Sequence, residues 1–323
     1  MNFQQLRVVR ETVRQKFNLT EVADALAMSQ SAVSKHIKDL EDELGLVLFV
    51  RKGKRLLGIT EPGHEVVRHA EKILQEADNL QSVADSFSAL DEGRLVLATT
   101  HTQARYALPE IVRRFRDEFP KVHLVMHQAT PNEIASMLES DQADIGIATE
   151  SLRSNPQFAT FPFYRWYHGV IVPMGHPLTK LKQLTLKDIA KYPIVTYHEG
   201  FTGRAMIDET FAKAGLSPEI AMVALDADVI KAYVALGMGV GIVASMAFDD
   251  DQDRHLRLLD ASDLFKENIT VLALRKGRFL RSYVKRFVTL CVRQLSEKEL
   301  VKSVEAGGTA GETSSPSRSR RAS

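Results

Sequence analysis

Between Ser29 and Lys38 the chain places hydroxyl, amide and ammonium side chains at a spacing suited to reading a DNA groove. Wound as a helix at about 100° per residue, Ser31, Ser34, Lys35 and Lys38 gather on one side, with Ser29 and Gln30 at the start. Val33, Ile37, Leu40 and Leu44 fall on the opposite stripe. An apolar back docks such a helix on its own domain, while the polar front reaches phosphates and base edges in a major groove. An ordinary amphipathic helix with a solvated face would look similar. The run that follows separates the two readings, because Arg51, Lys52, Lys54 and Arg55 surround Gly53 where a β-wing would sit. Four cations about a glycine turn suit phosphate contact. The expected partner is double-stranded DNA, held by Ser29, Gln30, Ser31, Ser34, Lys35, Lys38, Arg51, Lys52, Lys54 and Arg55.

A different chemistry is spelled out further along. Thr100-His101-Thr102-Gln103 follows an apolar run ending at Thr99, Thr149 follows Asp144–Ala148, and Gly200-Phe201-Thr202-Gly203 follows a run through Tyr197. Each lies where a strand gives way to a loop or helix, the place where ligands gather in open α/β sheets. Free N–H groups at helix starts attract anions, and Thr or Gln donors complete the shell without a full positive charge. Routine helix capping by Thr explains any one of these segments alone. Three of them together leave an anion site and routine capping both open.

Other candidates fail on order or ligand count. Gly237-Met238-Gly239-Val240-Gly241 leads from a helix into a strand, the reverse of a nucleotide-binding loop. His123 and His127 share a strand face but lack further zinc ligands at matching spacing. Asp249, Asp250, Asp251 and Asp253 lack the spacing and final Glu of an EF-hand and read as a solvated loop. No Ser/His/Asp set or activated Cys emerges, so neither an enzyme nor a cofactor or metal is expected.

The elements that must position these residues follow from pattern. A short helix (20–27), a tight turn at Met28-Ser29-Gln30 and a second helix (31–44) form the DNA-reading unit. Thr60 can cap a further helix, with Pro62 in its first turn. Along it Val66, Ala70, Ile73, Ala77, Leu80, Ala84 and Phe87 alternate steps of four and three, a heptad seam for dimerisation, which Asp91-Glu92-Gly93 ends. Strands are then expected at 94–99, 122–128, 144–149, 169–172, 194–197, 240–244 and 269–274. Helices are expected at 103–118, 131–140, 186–191, 203–214, 228–236 and 280–295. Alternating strands and helices indicate parallel sheets covered on both faces. Two such blocks, with the chain returning to the first near its end, suggest two lobes around a cleft.

Composition sets bounds. The 323 residues suit two or three domains. The 42 Lys and Arg nearly balance 41 Asp and Glu, but residues 1–60 hold ten cations against seven acids. DNA affinity would therefore rest on where the cations point. Cys291, the single cysteine, sits in an apolar helical pattern and reads as a small buried residue. No signal-peptide pattern or bilayer-spanning run is present, so a soluble cytoplasmic protein without membrane contact is expected. The Gly/Ser/Thr-rich end, taken as 301–323, reads as a disordered, solubilising tail whose arginines offer DNA or lipid contact as the lesser alternative.

The segment SQSAVSKHIKDLEDELGLVLFVR, followed by Thr60-Glu61-Pro62-Gly63, resembles the winged helix-turn-helix of LysR-type transcriptional regulators. TTHTQARYALP, ATE, GFTGR, DADVIKAYVALGMGVGIVASMA and FLRSY resemble the effector domain of that family's CysB-type branch, the cysteine-regulon activators and their paralogues. The resemblance runs from the N-terminus to about residue 295. It implies a winged helix-turn-helix domain over 1–59 (the motif at 19–38) and a linker and dimerisation helix over 60–90. It further implies a two-lobed α/β effector-binding domain over 91–300, like a periplasmic binding protein, with lobes of about 91–162 plus 268–300 and 163–267. It also implies promoter DNA as partner, self-association as dimer and homotetramer, and contact with RNA polymerase. Carried over position by position, Thr100, Thr102, Gln103, Thr149 and Thr202 stand where the branch binds sulfate or related ligands. The implied function is regulation of sulfur assimilation (cysteine biosynthesis, sulfate or sulfonate use) in response to sulfate, acetylserine or adenosine phosphosulfate. A regulator of aromatic or organic-acid catabolism would use the same architecture. A transport solute-binding protein shares only the lobes, and the helix-turn-helix argues against it.

Overall fold

A computed structural model describes residues 1–53, 55–88, 92–149, 151–201 and 203–306. The chain divides into two units, Met1–Ser88 and Ala89–Ser323.

In the first unit, Asn2 opens α1 (Phe3–Arg14) with a reciprocal capping box to Gln5. Asn18 accepts from the Thr20 amide to start α2 (Leu19–Ala25), and Ser29 accepts from Ala32 at 3.2 Å to start α3 (Gln30–Leu44). Gly45, left-handed at φ 65°, stops α3. A hairpin of β1 (Phe49–Lys52) and β2 (Arg55–Ile59) follows, then α4 (Glu61–Ser88). Thr60 caps α4: its hydroxyl accepts from Gly63 N at 3.0 Å and donates to Val47 O at 2.7 Å. Val33, Ile37 and Leu40 of α3 are fully buried with Leu6, Val9, Val22, Phe49 and Leu56. Leu44, expected on the same stripe, is exposed as the last residue of α3, where Gly45 turns the chain away.

The same core takes in Val67, Ala70 and Leu74, so the first turns of α4 pack on α1–α3 and the hairpin instead of leaving them as a linker at residue 60. Ile73 and Leu80 of the expected seam are exposed. The Phe87 side chain and residues 89–91 lie outside the described residues.

The second unit opens with β3 (Gly93–Thr99), a π-helical turn at Gln103–Ala107 and α5 (Pro109–Glu118). The single helix expected over 103–118 is interrupted because Pro109 has no N–H to continue the ladder. Next come β4 (Val122–Gln128), α6 (Pro131–Glu139), β5 (Ile145–Ala148), β6 (Phe158–Trp166), β7 (His168–Pro173), α7 (Leu186–Ile189) and β8 (Ile194–Tyr197). The chain continues through α8 (Arg204–Lys213), β9 (Ile220–Ala224), α9 (Ala227–Ala235), β10 (Val240–Ala244), β11 (Leu256–Leu259), β12 (Asn268–Arg275), α10 (Ser282–Cys291) and α11 (Glu297–Glu305).

Two five-stranded sheets form, in the orders β4-β3-β5-β12-β6 and β9-β8-β10-β7-β11. The orders correspond position by position. The sheets are mixed, correcting the all-parallel expectation. In each, one strand runs against the rest: β12 pairs antiparallel with β5 and β6, and β7 with β10 and β11. Each reversed strand is the one by which the chain enters that lobe from the other. Alternation along β3 sends Leu95 and Leu97 to one buried face and Val96 and Ala98 to the other, as a sheet covered on both sides requires.

Strands β6, β9 and β11 were not expected from pattern. In β6 the obstacle is Pro162, tolerated on an edge strand where the β12 register slips between Thr270 and Val271. Disorder from 301 is also corrected: Ser296 caps α11 with a box to Glu299, and Leu300 and Val304 are buried in the first lobe's core. The remainder, 307–323, lies outside the described residues.

Candidate DNA face and candidate ligand cleft

With Val33, Ile37 and Leu40 turned into the core, α3 leaves Gln30, Ser31, Lys35 and Lys38 exposed and Ser34 half-buried. Ser29 is exposed but committed as the cap, and its hydroxyl also bonds that of Ser31 at 3.0 Å. In the hairpin Lys52 pairs across the strands with Arg55, and both are exposed. Lys54 lies outside the described residues. Arg51 is differently placed. Its guanidinium donates to Glu41 at 2.7 Å, while the other oxygen of Glu41 accepts from the amides of Leu48 and Phe49. Arg51 thereby ties the hairpin to α3. A concavity of about 900 Å³ lies beside this face, lined by Lys16, Phe17 and Asn18 of the α1–α2 turn, Gln30 and Arg55. Lys16 was not singled out from sequence. It carries no periodic signal, and its place depends on a turn in which Lys16 and Phe17 both take positive φ.

In the second unit β3 and β5 are parallel neighbours, with Thr99 beside Ile147. Their carboxyl ends therefore deliver Thr100 and Thr149 side by side. Thr149 shares a hydrogen bond with Thr270 of β12 at 3.3 Å, and the Trp166 indole donates to Thr270 at 3.1 Å. Gln103 is buried and accepts from the Tyr164 phenol of β6. Burial pushes the Tyr164 phenol up to about 12, partly offset by its contacts with Thr270 and Gln103. Thr100 and Thr102 are buried as well. The Thr102 hydroxyl lies against the Tyr197 phenol of the second lobe but, among the described residues, makes no hydrogen bond of acceptable geometry. A buried hydroxyl left so costs about 1–3 kcal/mol unless a further partner meets it.

Four of the five expected anion residues thus meet at one strand-end region, and the fifth, Thr202, lies outside the described residues. Its neighbour Gly203 is required: a Cβ there would meet His168 Cε1 at 2.7 Å and Asn268 Oδ1 at 2.8 Å. Tyr164, Trp166 and Thr270 were missed because β6 has no clean alternation and Thr270 is one polar residue inside an apolar strand. Their role is set by sheet pairing, which periodicity does not encode.

The rejected candidates resolve plainly. His123 and His127 are exposed on edge strand β4. Asp253 is not a solvated loop residue. It is buried, takes the Lys231 ammonium at 3.0 Å and accepts from Asp249 N. Among the described residues His101, Asp226 and Asp228 bring ligand atoms within 4.8 Å of one another. That group does not suit a cation: Lys231 already stands 3.3 Å and Arg105 3.8 Å from Asp228, and Asp226 caps α9. Gly239 allows close approach, since a Cβ would meet Pro193 O at 2.2 Å. Cys291 is buried, and burial pushes its thiol far up, so it stays protonated. Among the described residues no helix is long and apolar enough to cross a membrane.

Known proteins share both units. Residues 3–64 match the family described as bacterial regulatory helix-turn-helix protein, lysR family, and residues 88–296 match the LysR substrate binding domain. The chain is 55% identical over 300 residues to the HTH-type transcriptional regulator SsuR of Burkholderia cenocepacia, covering 93% of this chain and 97% of that one. It is 49% identical over 298 residues to the HTH-type transcriptional regulator CysB of the same organism, covering 92% and 95%. Among solved structures, the cofactor-binding domain of the Cbl transcriptional regulator superposes with a TM-score of 0.65 at 47% identity, over 67% of this chain and 94% of that one.

Proposed function

This chain belongs to the LysR family of bacterial helix-turn-helix regulators, and we propose that it controls sulfur-assimilation genes in response to a small sulfur-linked anion held in its α/β cleft. Relatives bearing the names SsuR, CysB and Cbl over nearly the same length support the sulfur reading. LysR regulators bind promoter DNA and small effectors and self-associate. For this chain we assign base contacts to Gln30, Ser31, Ser34, Lys35 and Lys38, and phosphate contacts to Lys52, Lys54 and Arg55. The self-association is a dimer through the exposed Ile73–Leu80 side of α4, and two dimers make the homotetramer. The protein acts in the cytoplasm, where RNA polymerase is a further partner.

The observation that carries the ligand reading is the gathering of Thr100, Thr102 and Gln103 with Thr149 at the adjoining ends of β3 and β5, where the buried Thr102 hydroxyl lies against the Tyr197 phenol of the second lobe. Neutral donors converging at strand ends complete the shell of an oxyanion without needing its protons. A benzoate would want an apolar slot for its ring. Thr202 joins the set on resemblance alone.

The test is thermal stability of the full chain with sulfate, thiosulfate, acetylserine, adenosine phosphosulfate or benzoate. A single-site ligand at a hundredfold excess over its Kd adds about 2.7 kcal/mol, an easily measured shift. Stabilisation by benzoate alone would move the protein to the catabolic regulators. Chromatin mapping with and without sulfate then identifies the promoters.

A further inference from the structure

The two lobes of the second unit are joined by more than their crossover strands. After β3, the segment that carries Thr100, Thr102 and Gln103 also sends three side chains to the other lobe. The Tyr106 phenol donates to Asp228 Oδ1 at 2.7 Å, and His101 Nε2 stands 3.3 Å from Asp228 Oδ2. Arg105 approaches the same carboxylate at 3.8 Å and Gln252 at 3.4 Å. The Tyr106 ring packs on the second lobe's core cluster, which includes Ile230 and Val234.

Asp228 itself is held. It lies in the first turn of α9, and Lys231 of the next turn stands 3.3 Å away. Lys231 is buried, donates to Ala247 O at 2.8 Å and Asp253 at 3.0 Å, and lies 5.5 Å from the Tyr106 ring centre. The anchor is therefore fixed to its own lobe from below and grips the other lobe from above. Burial alone would raise the Asp228 pKa, yet hydrogen bonds from Tyr106, His101 and Lys231 bring it below the usual value. The π turn contributes to the geometry, because its wider winding lets Gln103 stay buried inside the first lobe while Tyr106 faces the second.

We propose that Tyr106 and Asp228 form a latch between the lobes, tying the Thr100–Gln103 segment to helix α9 so that the two move together. A hydrogen bond from a neutral phenol to a carboxylate is among the stronger kinds. Its donor and acceptor sit on different lobes, so it breaks when the lobes separate. Anything that shifts Thr100–Gln103 is then felt at α9, and lobe closure is felt at Thr100–Gln103.

The experiment measures the lobe-to-lobe distance in the full chain. Nitroxide labels go on Arg116→Cys and Lys187→Cys, both exposed and on different lobes, with labelled subunits diluted in unlabelled ones. Buried Cys291 stays unlabelled. Without ligand, the unlatched variants Tyr106→Phe and Asp228→Asn should lose the narrow distance distribution of the parent. Tyr106→Phe keeps the ring and its packing, so folding is preserved. Identical distributions in all three proteins would overturn the latch. A second arm, resting on the anion reading above, titrates sulfate. The apparent Kd for sulfate, read by thermal shift, should rise about tenfold in both variants, because the latched arrangement is no longer prepaid. If sulfate leaves the parent's melting temperature unchanged, the anion reading fails and the first arm alone decides the latch.

Discussion

Arg51 and Glu41 form a hydrogen-bonded ion pair at 2.7 Å, and the same carboxylate receives two backbone amides from the start of β1. A residue whose charge suggests phosphate contact is thus a strut between the β1–β2 hairpin and α3.

Arg51→Ala should lower stability by about 1 kcal/mol, the scale of a half-exposed pair, while leaving the salt dependence of DNA binding nearly intact. Lys52→Ala and Arg55→Ala should do the opposite, each lowering the slope of log K against log salt by about 0.9. Lys35→Ala, on the exposed side of α3, should relax discrimination at one base position by roughly 1–3 kcal/mol. A salt series on promoter and scrambled DNA measures all four. An Arg51→Ala slope reduced as much as that of Lys52→Ala would return Arg51 to the phosphate set.

Two leucines on α4 should fail in different ways. Leu74 is buried within its own unit, so Leu74→Ala should cost about 2–5 kcal/mol of stability. Leu80 is 72% exposed in the single chain. Leu80→Asp should leave the unit folded and abolish self-association, because the aspartate would be buried unpaired between two helices. Sedimentation separates the outcomes, and an unchanged oligomer would remove Leu80 from the interface.

Thr102→Val keeps the shape and removes a hydroxyl that is buried without a good partner. The ligand-free variant should therefore melt at or above the parent temperature, while its sulfate-induced shift disappears. Thr149→Val should behave differently, since that hydroxyl also serves Thr270, and should lower the ligand-free melting point. Equal sulfate shifts in parent and Thr102→Val would take Thr102 out of the site.

The latch has a pH signature. Asp228 is shifted below its ordinary value of 3.8, so its contribution is fully present above that pH and is lost as pH falls through the lowered folded-state value. Asp228→Asn should lower stability at pH 7, and the gap to the parent should narrow only below about pH 4. Urea melts across that range give the curve. A gap that is constant with pH would mean the carboxylate's charge plays no part.

What the sequence determined by itself was whatever depends on local spacing. The 3.6-residue stripe through Val33, Ile37 and Leu40, the Thr60 cap, β4 at 122–128, β8 at 194–197 and β10 at 240–244 are all local choices. The hydroxyls at the end of β3 were legible for the same reason. Tertiary structure decided what depends on pairing between distant segments. Only the β6–β12 register makes Tyr164, Trp166 and Thr270 neighbours of Gln103 and Thr149. Only the folding of β1 against α3 turns Arg51 from a free cation into a strut. Tyr106 and Asp228 stand 122 residues apart and meet because two lobes face each other, a contact no periodicity records. A side chain's type fixes the chemistry it can offer, and the partner it finds across the fold fixes whether that chemistry is spent on structure or left for function.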